Sequence, residues 1–152
     1  MKPLNFILTT TSLNFILMIP IMLVLLYFEI DDNEIGGVDF EKYSFFGFFF
    51  LLVIFAPIFE TLIGQVLPIK LTEKILRNKH KVIPMLISAI LFSLMHFGYS
   101  IWYSLLTFPL GILLAKTYVI FQKRKESSFW VTAAVHSLRN LIAVISIYSG
   151  IE

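Results

Sequence analysis

Residues 45–70 read F-F-G-F-F-F-L-L-V-I-F-A-P-I-F-E-T-L-I-G-Q-V-L-P-I-K, and the fold turns on how this stretch is understood. The apolar run exceeds the roughly 20 residues that cross a bilayer as a helix. Inside it lies one ionisable side chain, Glu60. A charged group at the bilayer centre costs about 2.5–3.5 kcal/mol on insertion scales. Glu60 therefore has to face the interior of a bundle, and other polar groups must be buried with it.

The rest of the chain has the same character. It has 152 residues, 58% hydrophobic and 14% charged, with a mean hydropathy of +0.86. A soluble domain carries about a quarter charged residues, so the excess apolar surface needs lipid to cover it. An all-α, multi-pass transmembrane bundle is predicted. The absence of cysteine excludes disulfides, thiolate catalysis and Cys-based metal sites. A net charge of +2 is too small to argue for a nucleic-acid partner.

Five spans are expected, at about 4–28, 44–69, 82–97, 101–121 and 129–149. The first contains Pro20 as an expected kink and is read as a retained helix, because no small-residue cleavage site follows it. Residues 29–42 form an acidic loop with six carboxylates and one lysine, turned at Gly36 and Gly37. Residues 70–81 carry five Lys or Arg against one Glu, and residues 122–128 form a second basic loop. Lys and Arg collect in short cytoplasmic loops. Two spans separate the basic loops and one span separates the acidic loop from the first of them, which predicts a cytoplasmic N-terminus. The expected division is 1–43, a helix plus acidic extracytoplasmic loop, and 44–152, a four-helix core.

Within the spans, Glu60, His96, His136, Arg139 and Asn140 need a reason to be there. At about 1.5 Å per residue, Glu60 lies roughly 13 Å from the basic end of its span, His96 roughly 18 Å, and His136 and Asn140 roughly 10 and 16 Å. His136 and Asn140 share one face of a helix, as do Phe92 and His96. Interhelical hydrogen bonding is the plain explanation of such groups. Together they also make a hydrolytic set: a carboxylate as general base, an imidazole to share its proton, and an imidazole with a carboxamide to stabilise an oxyanion. No serine or threonine presents itself as a nucleophile, so water fills that role.

The blocks E-T-L-I-G-Q (60–65), F-S-L-M-H (92–96) and H-S-L-R-N (136–140) resemble the signature of the CAAX protease and bacteriocin-processing family of intramembrane proteases. That signature is E-E-x-x-x-R, then F-x-x-x-H, then H-x-x-x-N or D, each on its own helix. The resemblance spans about residues 44–149. It implies a glutamate-type endopeptidase in which Glu60 and His96 activate water and His136 and Asn140 stabilise the oxyanion. The second glutamate and the arginine of the first motif are replaced by Thr61 and Gln65. The replacement is read as loss of an ion pair along one helix face, with Glu60 spared. Arg139 is a candidate for the missing positive charge.

The resemblance implies a metal-free mechanism and so no cofactor; zinc on Glu60, His96 and His136 is a minor alternative, without an H-E-x-x-H spacing. Two other functions stay open. One is an inactive immunity or binding protein on the same scaffold, and the other a small transporter or proton-relay protein. The expected partners are the lipid bilayer and a membrane-associated peptide or protein. Phe-, Ile- and Lys-rich usage points to a bacterial plasma membrane.

Overall fold

The architecture was taken from a computed structural model, which describes residues 1–77 and 80–149. Among these residues all regular structure is helical. Five helices dominate: α1 (Pro3–Tyr27), α2 (Phe45–Ile75), α3 (Val82–Leu94), α4 (Ile101–Phe121) and α5 (Ser128–Ser149). All except α3 are long and apolar enough to cross a membrane. The chain is an integral membrane protein built as an all-α bundle.

Two spans differ from expectation. α2 continues past Ile69 to Ile75, because Lys70 to Ile75 still form an amphipathic helix that buries Thr72 and Glu73. α3 stops at Leu94 rather than Phe97 and has 13 residues, about 20 Å of helix at 1.5 Å per residue. The short helix leaves His96 in the turn that follows, not on the helix with Phe92.

α4 is the central, most buried helix, packing against α1, α3 and α5. A core of Phe92, Leu110, Leu114 and Val135 joins α3, α4 and α5. A second core, Phe48, Val53 and Val144, joins α2 to α5. Gly111 permits the tightest approach: a Cβ there would lie 3.0 Å from the Ala89 carbonyl oxygen of α3. α1 runs through Pro20 without interruption and buries Thr10, Thr11 and Asn14 while leaving most of its leucines and isoleucines outside. That is the distribution lipid imposes, since apolar side chains need no shelter from it.

The two ends of the bundle collect the loops as the charge pattern requires. At one end Gln122 bonds Glu73, and Arg124 donates to the Met1 carbonyl oxygen at 2.8 Å. At the other, Ser100 Oγ donates to the Ile35 carbonyl oxygen. The acidic loop and the α3–α4 turn therefore share one end, opposite the basic loops.

Candidate active site

α2 is not a uniform helix. Ser44 opens it by accepting the Gly47 N–H at 3.2 Å. Two π-helical stretches follow, Phe50–Phe55 and Thr61–Val66, with a short α-helical piece, Ala56–Glu60, between them. Each π stretch runs into a proline, Pro57 or Pro68. Proline has no N–H to give the preceding turn, so a carbonyl is freed each time. In the first stretch Ala56 N–H bonds the Leu51 oxygen, so the matching donor for Leu52 would be Pro57. Asn140 of α5 supplies it instead, with Nδ2 donating to the Leu52 oxygen at 2.9 Å. In the second, Leu67 N–H bonds the Leu62 oxygen, and Ser88 of α3 donates to the Gly64 oxygen at 2.7 Å. Neighbouring helices thus supply donors within both stretches, and Glu60 is carried between them.

His96 owes its position to the early end of α3. Its own N–H turns to the Ser93 oxygen, which leaves the Phe92 oxygen free. The His96 ring meets it, with Nδ1 2.8 Å away. A carbonyl only accepts, so Nδ1 carries the hydrogen and Nε2 is the free nitrogen. Ser93 and Ser104 brace the turn by donating to each other's carbonyl oxygens at 2.6 and 2.7 Å.

Nε2 of His96 lies 3.6 Å from Glu60 Oε2, and Nε2 of His136 lies 3.6 Å from the same oxygen. Two imidazoles, one from the α3–α4 turn and one from α5, thus flank one carboxylate oxygen, just beyond direct hydrogen-bond distance. Phe92 fills the angle between them, its ring centroid 4.9 Å from that of His96 and 5.5 Å from that of His136. Gly64 leaves room for this ring, since a Cβ there would meet it at 3.0 Å. The His136 side chain is 3% exposed and its Nδ1 is buried without a partner.

These groups line a cavity of about 430 Å³ together with Arg139 and Asn140. Its remaining wall is largely aromatic and aliphatic, including Phe55, Phe59, Tyr99 and Tyr103. Tyr103, in the first turn of α4, lies beside His96 with ring centroids 5.8 Å apart. The cavity is also closed by the acidic loop through Gly36, Gly37, Val38 and Tyr43. Gly36 adopts φ +70°, and a Cβ on it would press the Tyr99 carbonyl oxygen at 3.3 Å. The loop thus belongs to the cavity, although the expected division placed residues 1–43 apart from the core. Sequence reasoning missed this use of the loop. The adjacent glycines were the available signal, but they also mark any turn.

Thr61 and Gln65 are fully buried and do not pair with each other. Gln65 Oε1 lies 2.5 Å from Ser88 Oγ, while Thr61 Oγ1 and Gln65 Nε2 are unpartnered. Among the described residues no three His, Cys, Asp or Glu side chains are grouped as metal ligands.

The arrangement can hold a polar, water-sized reactant between a carboxylate and two imidazoles, inside a largely apolar chamber. The family model described as type II CAAX prenyl endopeptidase Rce1-like matches residues 42–142. No curated protein and no solved structure matches. The matched segment begins just before α2 and takes in Glu60, His96, His136, Arg139 and Asn140, so this chain belongs to the Rce1-like family of type II CAAX prenyl endopeptidases.

Proposed function

We propose that the protein is an intramembrane endopeptidase that hydrolyses a peptide bond of a membrane-associated peptide or protein with water activated at Glu60. The observation that carries this reading is the placement of two imidazole Nε2 atoms, each 3.6 Å from one Glu60 oxygen, on the wall of a chamber that a peptide can occupy. Glu60 takes the water proton as the water oxygen bonds to the carbonyl carbon. The carbonyl π pair moves onto its oxygen, which becomes the oxyanion. Collapse returns that pair and breaks the C–N bond, and the proton passes to the departing amine. His96, with its tautomer fixed by the Phe92 carbonyl, shares that proton with Glu60. His136 and Asn140, four residues apart on α5, face the same chamber and donate toward the oxyanion. No step calls on a metal, and a chelator is expected to leave the rate unchanged.

The aromatic wall suits apolar side chains, so hydrophobic peptide tails, leaders or membrane-protein stubs are the substrate class. We place the reaction in a bacterial plasma membrane, and processing of a bacteriocin or similar peptide fits the chamber. The test is mass-spectrometric profiling of membrane peptides with purified wild type, Glu60→Gln and His136→Ala in lipid nanodiscs. Fragments released by wild type and lost in both variants support the reading. Equal function with Glu60→Gln would assign the scaffold to binding or immunity instead, and solute flux in vesicles would assign it to transport.

A further inference from the structure

One cation on the chamber wall has no part in the scheme above. Arg139 precedes Asn140 on α5 and lines the cavity that holds Glu60, His96 and His136. Its NH1 reaches Asn140 Oδ1 at 3.3 Å, a long contact, and its Nε is buried without a partner. Among the described residues no carboxylate forms an ion pair with it. It is nonetheless close enough to Glu60, His136 and Tyr103 for its charge to act on each of them. A guanidinium keeps its charge and offers five N–H donors in a rigid fork.

The other polar groups on this wall carry no permanent positive charge. Asn140 spends one N–H on the Leu52 carbonyl, and its oxygen receives Arg139. Both imidazole Nε2 atoms face Glu60. Arg139 therefore holds the permanent positive charge of the site and an Nε donor that no group takes up. We propose that Arg139 stabilises the oxyanion alongside His136 and Asn140, and that the Asn140 side chain also holds the guanidinium and ties α5 to the first π stretch of α2. The assignment rests on the proteolytic reading. As the carbonyl π pair moves onto oxygen, that oxygen gains a full negative charge facing the fork. On collapse the charge leaves, and Arg139 stays protonated throughout.

The test uses the full chain in nanodiscs and a peptide that wild type cleaves. A matched phosphinate peptide, whose tetrahedral P–O⁻ mimics the intermediate, serves as the second probe. Arg139→Gln is expected to lower kcat by about 10²–10³ with little change in KM. Phosphinate affinity, read by calorimetry, should fall in step, while affinity for the uncleaved peptide, measured in the Glu60→Gln background, should not. Arg139→Lys keeps the charge without the fork and should fall between. Wild-type kcat and phosphinate affinity in Arg139→Gln would overturn the assignment, as would a KM rise without a kcat loss. If Arg139→Gln fails to fold, unchanged kcat and phosphinate affinity in Arg139→Lys overturn it equally. Cleavage surviving Glu60→Gln would sink the activation of water at Glu60 separately, since the phosphinate titration needs no turnover.

Discussion

α2 carries two carboxylates withdrawn from solvent, Glu73 buried and Glu60 half-buried, and they live differently. Glu73, near the basic end, has both oxygens engaged: Lys81 Nζ lies 2.7 Å from Oε1, and Gln122 Nε2 donates to Oε2 at 3.0 Å. Glu60, at mid-helix, faces two imidazole nitrogens at 3.6 Å and, among the described residues, takes no direct hydrogen bond. Glu73 ties the loop after α2 to the end of α4. Glu60 stands beside a chamber with its demand for a proton unmet. Burial alone does not mark a catalytic group; burial with incomplete satisfaction does, because a satisfied charge has nothing left to offer a reactant.

The sharpest way to break this contrast is to neutralise each carboxylate in turn. Glu60→Gln is expected to lower the cleavage rate by about 10²–10⁴, the contribution of a general base, while leaving the detergent melting temperature near wild type. Glu73→Gln should do the reverse, with a lower melting temperature and near-normal cleavage. Comparable activity losses in both would erase the distinction. His96→Ala comes next. It should cut kcat by about 10²-fold and also lower stability slightly, since the Phe92 carbonyl loses its partner. If kcat holds, proton sharing with Glu60 does not occur there.

Smaller effects sharpen the structural half. Lys81→Met leaves Glu73 with one partner, and unfolding measurements should show a loss of about 1–3 kcal/mol without a change in cleavage. The Leu52–Asn140 bond is weaker still. Asn140→Leu should cost about 0.6–1.7 kcal/mol, the range of interhelical bonds in membranes. In a Pro57→Ala background, where an N–H returns to serve the Leu52 carbonyl, that cost should shrink. Equal costs in both backgrounds would show that the proline does not create the vacancy.

Much of this was legible in the sequence. The excess of apolar residues over charge sets the class, and the alternation of acidic and basic loops sets which loops share an end. Both are summed properties that tolerate errors of a few residues at each boundary. Depth along the spans brought Glu60, His96, His136 and Asn140 to one level, and the structure sets them around one chamber, with His96 in the turn after α3 rather than on the helix. Tyr103 lies near a span end in the sequence, and only the path of the neighbouring turn shows that it faces the chamber.

What the sequence by itself determined is the membrane bundle, its loop pairing and the polar residues that cannot face lipid, because transfer energies act on each residue wherever it packs. Tertiary structure alone decided how those residues divide their hydrogen bonds. The π stretches before Pro57 and Pro68, the early end of α3 and the folding of Gly36 and Gly37 over the chamber each free or fill a specific carbonyl or a specific gap. Such assignments depend on which backbone groups another helix can reach. Distance in space sets that, and no spacing along the chain encodes it.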